Sequence, residues 1–216
     1  MQLLCDQLNE VSPETAEETY QKFYPACANA TLTPQQAQDV FDQILKLYAQ
    51  TDNPTLQSYC LLYFGAVVDT RKLNPKALGQ LSHILDETLA ALKDFRVKDS
   101  RGFYIHFLSH ATYLAQSIHD AGGTINWETL LEAYLRAEGA LVWHEDLVLA
   151  ECLLAVVPKK DIARLLARLE TGNSEGAKAS NKRALWMAMK VINTQTRQHE
   201  GAVFAKLTAE LMAVLA

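Results

Sequence analysis

Along most of the chain, apolar residues recur with the period of an α-helix. After Pro34 they fall at Ala37, Val40, Phe41, Ile44, Leu45 and Tyr48, and after Pro75 at Leu78, Leu81, Leu85, Leu89 and Leu92. Each stripe predicts a helix that buries one face and wets the other. Two segments read differently: Tyr59–Val68 and Leu147–Val157 are apolar all round, with Glu151 the one charge in the second, which predicts helices packed on several sides. Sustained alternation of apolar and polar residues does not occur, so no strand is predicted.

Start signals punctuate this pattern. Ser12-Pro13, Thr33-Pro34, Asn53-Pro54 and Asn74-Pro75 follow one another at spacings of 21, 20 and 21. A Ser, Thr or Asn side chain satisfies a free amide at a helix start, and proline at the first helical position loses only a donor the helix could not use. The rhythm predicts helices joined by short turns, two making a unit of about 41 residues, the length of a HEAT-type repeat. Placed on the whole chain, the signals give helices at 3–9, 13–29, 34–50, 54–70, 75–94, 100–120, 126–137, 144–157, 158–170, 179–197 and 202–214. The expected fold is all-α: stacked antiparallel helices in a HEAT-like α-solenoid of about 10–11 helices, with a globular helical bundle as the alternative because the rhythm stops after Asn74. Ala121–Thr124 reads as a helix-breaking turn and 171–176 as a mobile loop. Residues 1–216 are expected to form a single domain.

Composition is that of an ordinary globular chain, 49% hydrophobic and 21% charged over 216 residues. The net charge of −5 hides a split. Residues 1–157 carry 10 Lys/Arg against 20 Asp/Glu, whereas 158–216 carry 10 against 5. A basic end on an acidic chain predicts a face for an acidic partner. Cys5, Cys27, Cys60 and Cys152 are far apart and sit mostly in apolar runs, so they are expected to be reduced core thiols in a cytoplasmic protein. The start of the chain has no basic n-region followed by an apolar stretch, and no 18-residue apolar run follows, so neither a secretory leader nor a membrane span is expected.

Candidate chemistry is sparse. His106, His110, Tyr113 and Ser117 fall at i, i+4, i+7 and i+11, a polar stripe on the sixth predicted helix. Two imidazoles one turn apart can share a metal ion, and Glu151 and His144 are the other candidate ligands or bases, but no spacing supplies a complete set. Trp127 and Trp143 read as core. Phosphate-loop, nucleophile-elbow, dinucleotide and zinc-cysteine patterns are missing, and no cofactor is expected. More suggestive is the basic third. Lys160, Arg164 and Arg168 lie opposite the Ile162, Leu165, Leu166 and Leu169 stripe, and Arg183, Lys190 and Arg197 recur around Trp186. An aromatic anchor ringed by cations suits an acidic protein segment. The expected function is therefore a non-enzymatic helical adaptor or scaffold. Nucleic-acid binding along the same stripes is the second expectation, and a metal-dependent or acid/base enzyme using His106, His110 and Glu151 the third. A homodimer through the apolar C-terminal helix is a further partner expectation.

Overall fold

A computed structural model describes residues 2–91, 98, 102, 105–136, 145–170 and 182–190. By its internal contacts the chain divides into two compact units, Met1–Gly139 and Ala140–Ala216. The first holds α1 (Gln2–Asn9), α2 (Ala16–Asn29), α3 (Pro34–Gln50), α4 (Pro54–Asp69), α5 (Pro75–Ala91), α6 (Phe107–Asp120) and α7 (Trp127–Arg136). The second holds α8 (Glu145–Val156), α9 (Lys159–Glu170) and a further helical segment at 182–190. The fold is all-α, with no strand among the described residues.

Three of the four cap–proline pairs start helices as expected. Thr33 closes a capping box with Gln36, each side chain bonding the other residue's backbone amide, at 3.2 and 2.9 Å. Asn53 Oδ1 accepts from the amides of Thr55 and Leu56, and Asn74 Oδ1 from that of Ala77. Ser12-Pro13 differs. Its hydroxyl bonds the Glu14 carboxylate, the Ser12 carbonyl accepts from the Thr15 amide to close a turn, and α2 begins only at Ala16. The turn at Ala121–Thr124 is a Schellman motif: the amides of Gly122 and Gly123 bond the carbonyls of His119 and Ile118, and Gly122 takes the required positive φ of 86°.

Within the first unit α4 is the central element, packed on α2, α3 and α6. That explains its composition: twelve of its 16 residues are buried, with Phe64 against Phe41 and Tyr48, and Tyr63 edge-on to Phe23. Helices α3 and α5, which carry single stripes, bury them: Val40, Phe41 and Ile44 in α3, and Leu78, Leu81, Leu85 and Leu89 in α5. Packing follows an alternation. α1 meets α3 and α5 meets α7, while α2 meets α4 and α4 meets α6, with α1/α2, α3/α4 and α5/α6 paired. α3 and α5 are joined by Tyr48 and Thr88, whose hydroxyls are 2.5 Å apart, and by the amides of Asn74 and Gln38.

In the second unit, the expectation of a fully enclosed helix at 147–157 is not met. Leu149, Ala150, Cys152, Leu153 and Val157 are buried, but Leu147, Glu151 and Ala155, at i, i+4 and i+8, are exposed along one face. Hydrophobic character on every side gave no sign of which side would be left to water. The loop expected at 171–176 and the helix at 202–214 lie outside the described residues.

Candidate functional site

The polar stripe of α6 is turned inward, onto α4. The helix begins at Phe107 rather than Ser100, leaving His106 at the N-cap position without a capping side-chain bond. From there the stripe meets a matching row of small and polar residues on α4. His110 Nδ1 and Ser58 Oγ hydrogen-bond at 2.8 Å, and the imidazole packs 5.2 Å from the Tyr59 ring. One helical repeat further on, Tyr113 lies against Gly65, where a Cβ would sit 2.4 Å from its Cε1. The Tyr113 hydroxyl then donates to Asp69 Oδ2 at 2.6 Å. Ser117 is buried. The row Ser58, Gly65, Asp69 has helical spacing, so α6 seats its largest polar side chains where α4 has its smallest.

This geometry is structural in character. Burial, with the neighbouring His106, pushes the His110 imidazole down to about 3, the Ser58 bond pulling the other way. Such a ring is a weak base at neutral pH. Ser58 has no exposure at all, so its hydroxyl meets no substrate. Among the described residues no three His, Cys, Asp or Glu side chains gather closely enough to hold a metal ion. Glu151 is exposed on the wet face of α8, in the unit other than that of His106 and His110. It needs no buried partner, and His144 lies outside the described residues. Cys27, Cys60 and Cys152 are buried, Cys5 is half-buried, and all four are unbridged. Burial raises the Cys27 and Cys60 thiols to about 12, which suppresses thiolate chemistry.

The His110 environment has a measurable consequence. An unfolded histidine binds its proton near 6.5 and the folded ring only near 3, so between these values the unfolded chain holds more protons. The stability this position supplies is complete above pH 6.5 and declines as pH falls toward 3. Urea midpoints of wild type are expected to drop between pH 7.5 and 4.5 more steeply than those of His110→Gln, which cannot titrate. Parallel pH profiles would remove this account.

A cleft of about 360 Å³ lies between α3, α4, α5 and the start of α6, lined by Tyr48, Gln57, Ile84, Glu87, Thr88, Ala91 and Phe107. Among the described lining residues the one carboxylate is Glu87, which sits 3.3 Å from His83 one turn away, with both side chains largely in solvent.

The basic residues of the second unit lie at the surface. Lys160, Arg164 and Arg168 are exposed along α9, while Ile162, Leu165 and Leu169 are buried and Leu166 is half-buried. Arg164 reaches Asp161 at 3.8 Å. In 182–190, Leu185, Ala188 and Met189 are buried and Arg183 and Lys190 exposed. Trp186 stands at the border between these faces, half-buried, with the Lys190 ammonium 4.6 Å over its ring. Its Nε1 is shut off from solvent and meets no acceptor among the described residues. Arg197 and Trp143 lie outside the described residues. Sequence reading missed the tyrosine cluster of Tyr20 and Tyr24, with Tyr63 against Tyr20 and Tyr113 beside it. The signal that pointed there was Gly65, a glycine in the middle of an otherwise uninterrupted apolar helix. No protein-family model, curated protein or solved structure matches the chain.

Proposed function

We propose that the protein is a non-enzymatic helical adaptor whose basic second unit engages an acidic segment of another protein. The observation that carries this reading is Trp186, half-buried between an apolar and a basic face, with Lys190 over its ring and exposed Arg183 on the same helical segment. An indole fixed at the edge of a core offers apolar contact at little entropic cost, and the cations beside it select carboxylates. The exposed stripe Lys160, Arg164 and Arg168 on α9 extends the positive surface of the same unit. A HEAT-like stack is the architecture we propose for the first unit, supported by the alternation of packing in which α1 meets α3, α5 meets α7, and α2, α4 and α6 meet in turn. The excess of acid over base in residues 1–157 would repel a polyphosphate backbone, which favours a protein partner over nucleic acid.

The test is binding of a labelled peptide of alternating glutamate and phenylalanine, followed by fluorescence anisotropy. Arg183→Glu together with Trp186→Ala is expected to weaken it by about 30-fold or more, as loss of a hot spot does. Arg183→Glu alone changes an exposed position, leaves the helical circular dichroism as it was, and weakens binding in the same direction. Binding that survives both changes would reject this face as the site.

A further inference from the structure

The first unit carries a second surface of opposite character, built on the α2, α4 and α6 packing. Tyr20 and Tyr24 on α2 have ring centroids 5.9 Å apart, and Tyr20 lies 5.9 Å from Tyr63 beneath it. Tyr63 is fixed: it is fully buried, edge-on to Phe23 at 5.1 Å, and its hydroxyl donates to the Ala16 carbonyl at 2.8 Å. Tyr113 from α6 joins from the side, its hydroxyl beside that of Tyr20. Above this rigid floor, Tyr24 is 41% exposed, one of only two large hydrophobic side chains exposed among the described residues.

A carboxylate stands at the edge of these rings. Asp69 is exposed and is the last residue of α4, where unpaired carbonyls already make the helix end negative. Its Oδ2 is occupied by the Tyr113 hydroxyl, and Oδ1 remains for an N–H donor. Among the described residues Arg71 and Lys72, the nearest cations in sequence, make no ion pair with it, and Arg71 has a left-handed backbone with a φ of 58°. Met1–Gly139 as a whole carries 17 Asp/Glu against 10 Lys/Arg.

We propose that Tyr20, Tyr24, Tyr113 and Asp69 form a receiving site for an arginine side chain of a basic protein segment. A guanidinium is planar and weakly hydrated, so it stacks on a tyrosine face while one edge donates to a carboxylate. The patch supplies both features, and the Tyr113 bond holds the carboxylate so that its free oxygen is already placed. The site lies in the unit other than that of Trp186, and it stands whether or not the acidic-partner reading does.

The probe is a fluorescein-labelled peptide with two arginines separated by glycines, beside a counterpart in which citrulline replaces each arginine, keeping shape and removing charge. The full-length chain is expected to bind the arginine peptide and not the citrulline one. Tyr24→Ala and Asp69→Asn are each expected to weaken binding about two- to fivefold, the size of an exposed cation–π or ion-pair contact. Glu10→Gln removes the same charge elsewhere on the unit and is expected to leave affinity unchanged, as is Arg183→Glu with Trp186→Ala. Equal binding of the two peptides, or an equal loss in Glu10→Gln and Asp69→Asn, would overturn the proposal. So would self-association of the chain that Asp69→Asn abolishes, since the patch would then belong to a second copy. Thermal melts of Tyr24→Ala and Asp69→Asn within a degree or two of wild type show that any loss reflects the site and not the fold.

Discussion

Phe64→Ala is expected to destabilise the first unit by about 4 kcal/mol, the typical cost of removing a fully buried aromatic ring. Phe64 is wholly inaccessible, and its ring packs against Phe41 at 5.6 Å and Tyr48 at 6.2 Å. It belongs to the helix on which α2, α3 and α6 all pack, so no single neighbour can move to fill the space without disturbing the other two. In a thermal scan this corresponds to a fall in Tm of about 8–16 °C. Phe64→Leu, which keeps most of the volume, is expected to cost less than about 1.5 kcal/mol. Equal losses for the two substitutions in urea titrations would show that α4 is not held by packing on three sides.

The second large effect concerns Gly65, and its sign depends on a partner. Alanine is the better helix former by about 1 kcal/mol, so Gly65→Ala in the middle of a helix would ordinarily stabilise. Here the added Cβ would lie 2.4 Å from Tyr113 Cε1 and 2.9 Å from Cδ1. The ring must lift off α4, giving up its contact with the backbone and its hydroxyl bond to Asp69. Overpacking of this kind costs about 1–3 kcal/mol, which offsets the helical gain, and a net loss of up to about 2 kcal/mol is expected. In a Tyr113→Ala background the obstruction is gone and the same substitution should stabilise by a few tenths to about 1 kcal/mol. The reversal is read from a double-mutant cycle of urea midpoints, and a Gly65→Ala effect of the same sign in both backgrounds would refute the contact.

What could be read from the chain follows from the range of the forces involved. Helix starts at Pro34, Pro54 and Pro75 were legible because Thr33, Asn53 and Asn74 bond amides two or three residues away, a local event that needs no tertiary partner. Ser12-Pro13 shows the limit of that logic. The same residue pair closes a turn, because Thr15 and Glu14 offer its groups competing local partners. Single-stripe helices disclosed their buried faces for a similar reason, since Val40, Phe41 and Ile44 share a side by helical geometry alone.

Faces of uniform character disclosed nothing. Both Tyr59–Val68 and Leu147–Val157 look like enclosed helices, yet the first is nearly all buried and the second leaves Leu147, Glu151 and Ala155 to water. The number of neighbours a helix acquires depends on the rest of the chain, and no periodicity encodes it. The same is true of the candidate sites. That His106, His110, Tyr113 and Ser117 share a helical stripe could be read directly, but that His110 meets Ser58 and Tyr113 meets Asp69 rests on pairs 52 and 44 residues apart. So too with the tyrosines: Tyr20 and Tyr24 are neighbours on their own helix, while Tyr63 and Tyr113 reach them only because α4 packs on both α2 and α6. The sequence by itself determined the all-α class, most helix limits and the split of charge, because capping, periodicity and composition act within a few residues. Which polar residues face one another was decided by tertiary structure alone, because close packing joins surfaces distant in the chain and lets a single missing Cβ, at Gly65, determine where an aromatic ring can lie.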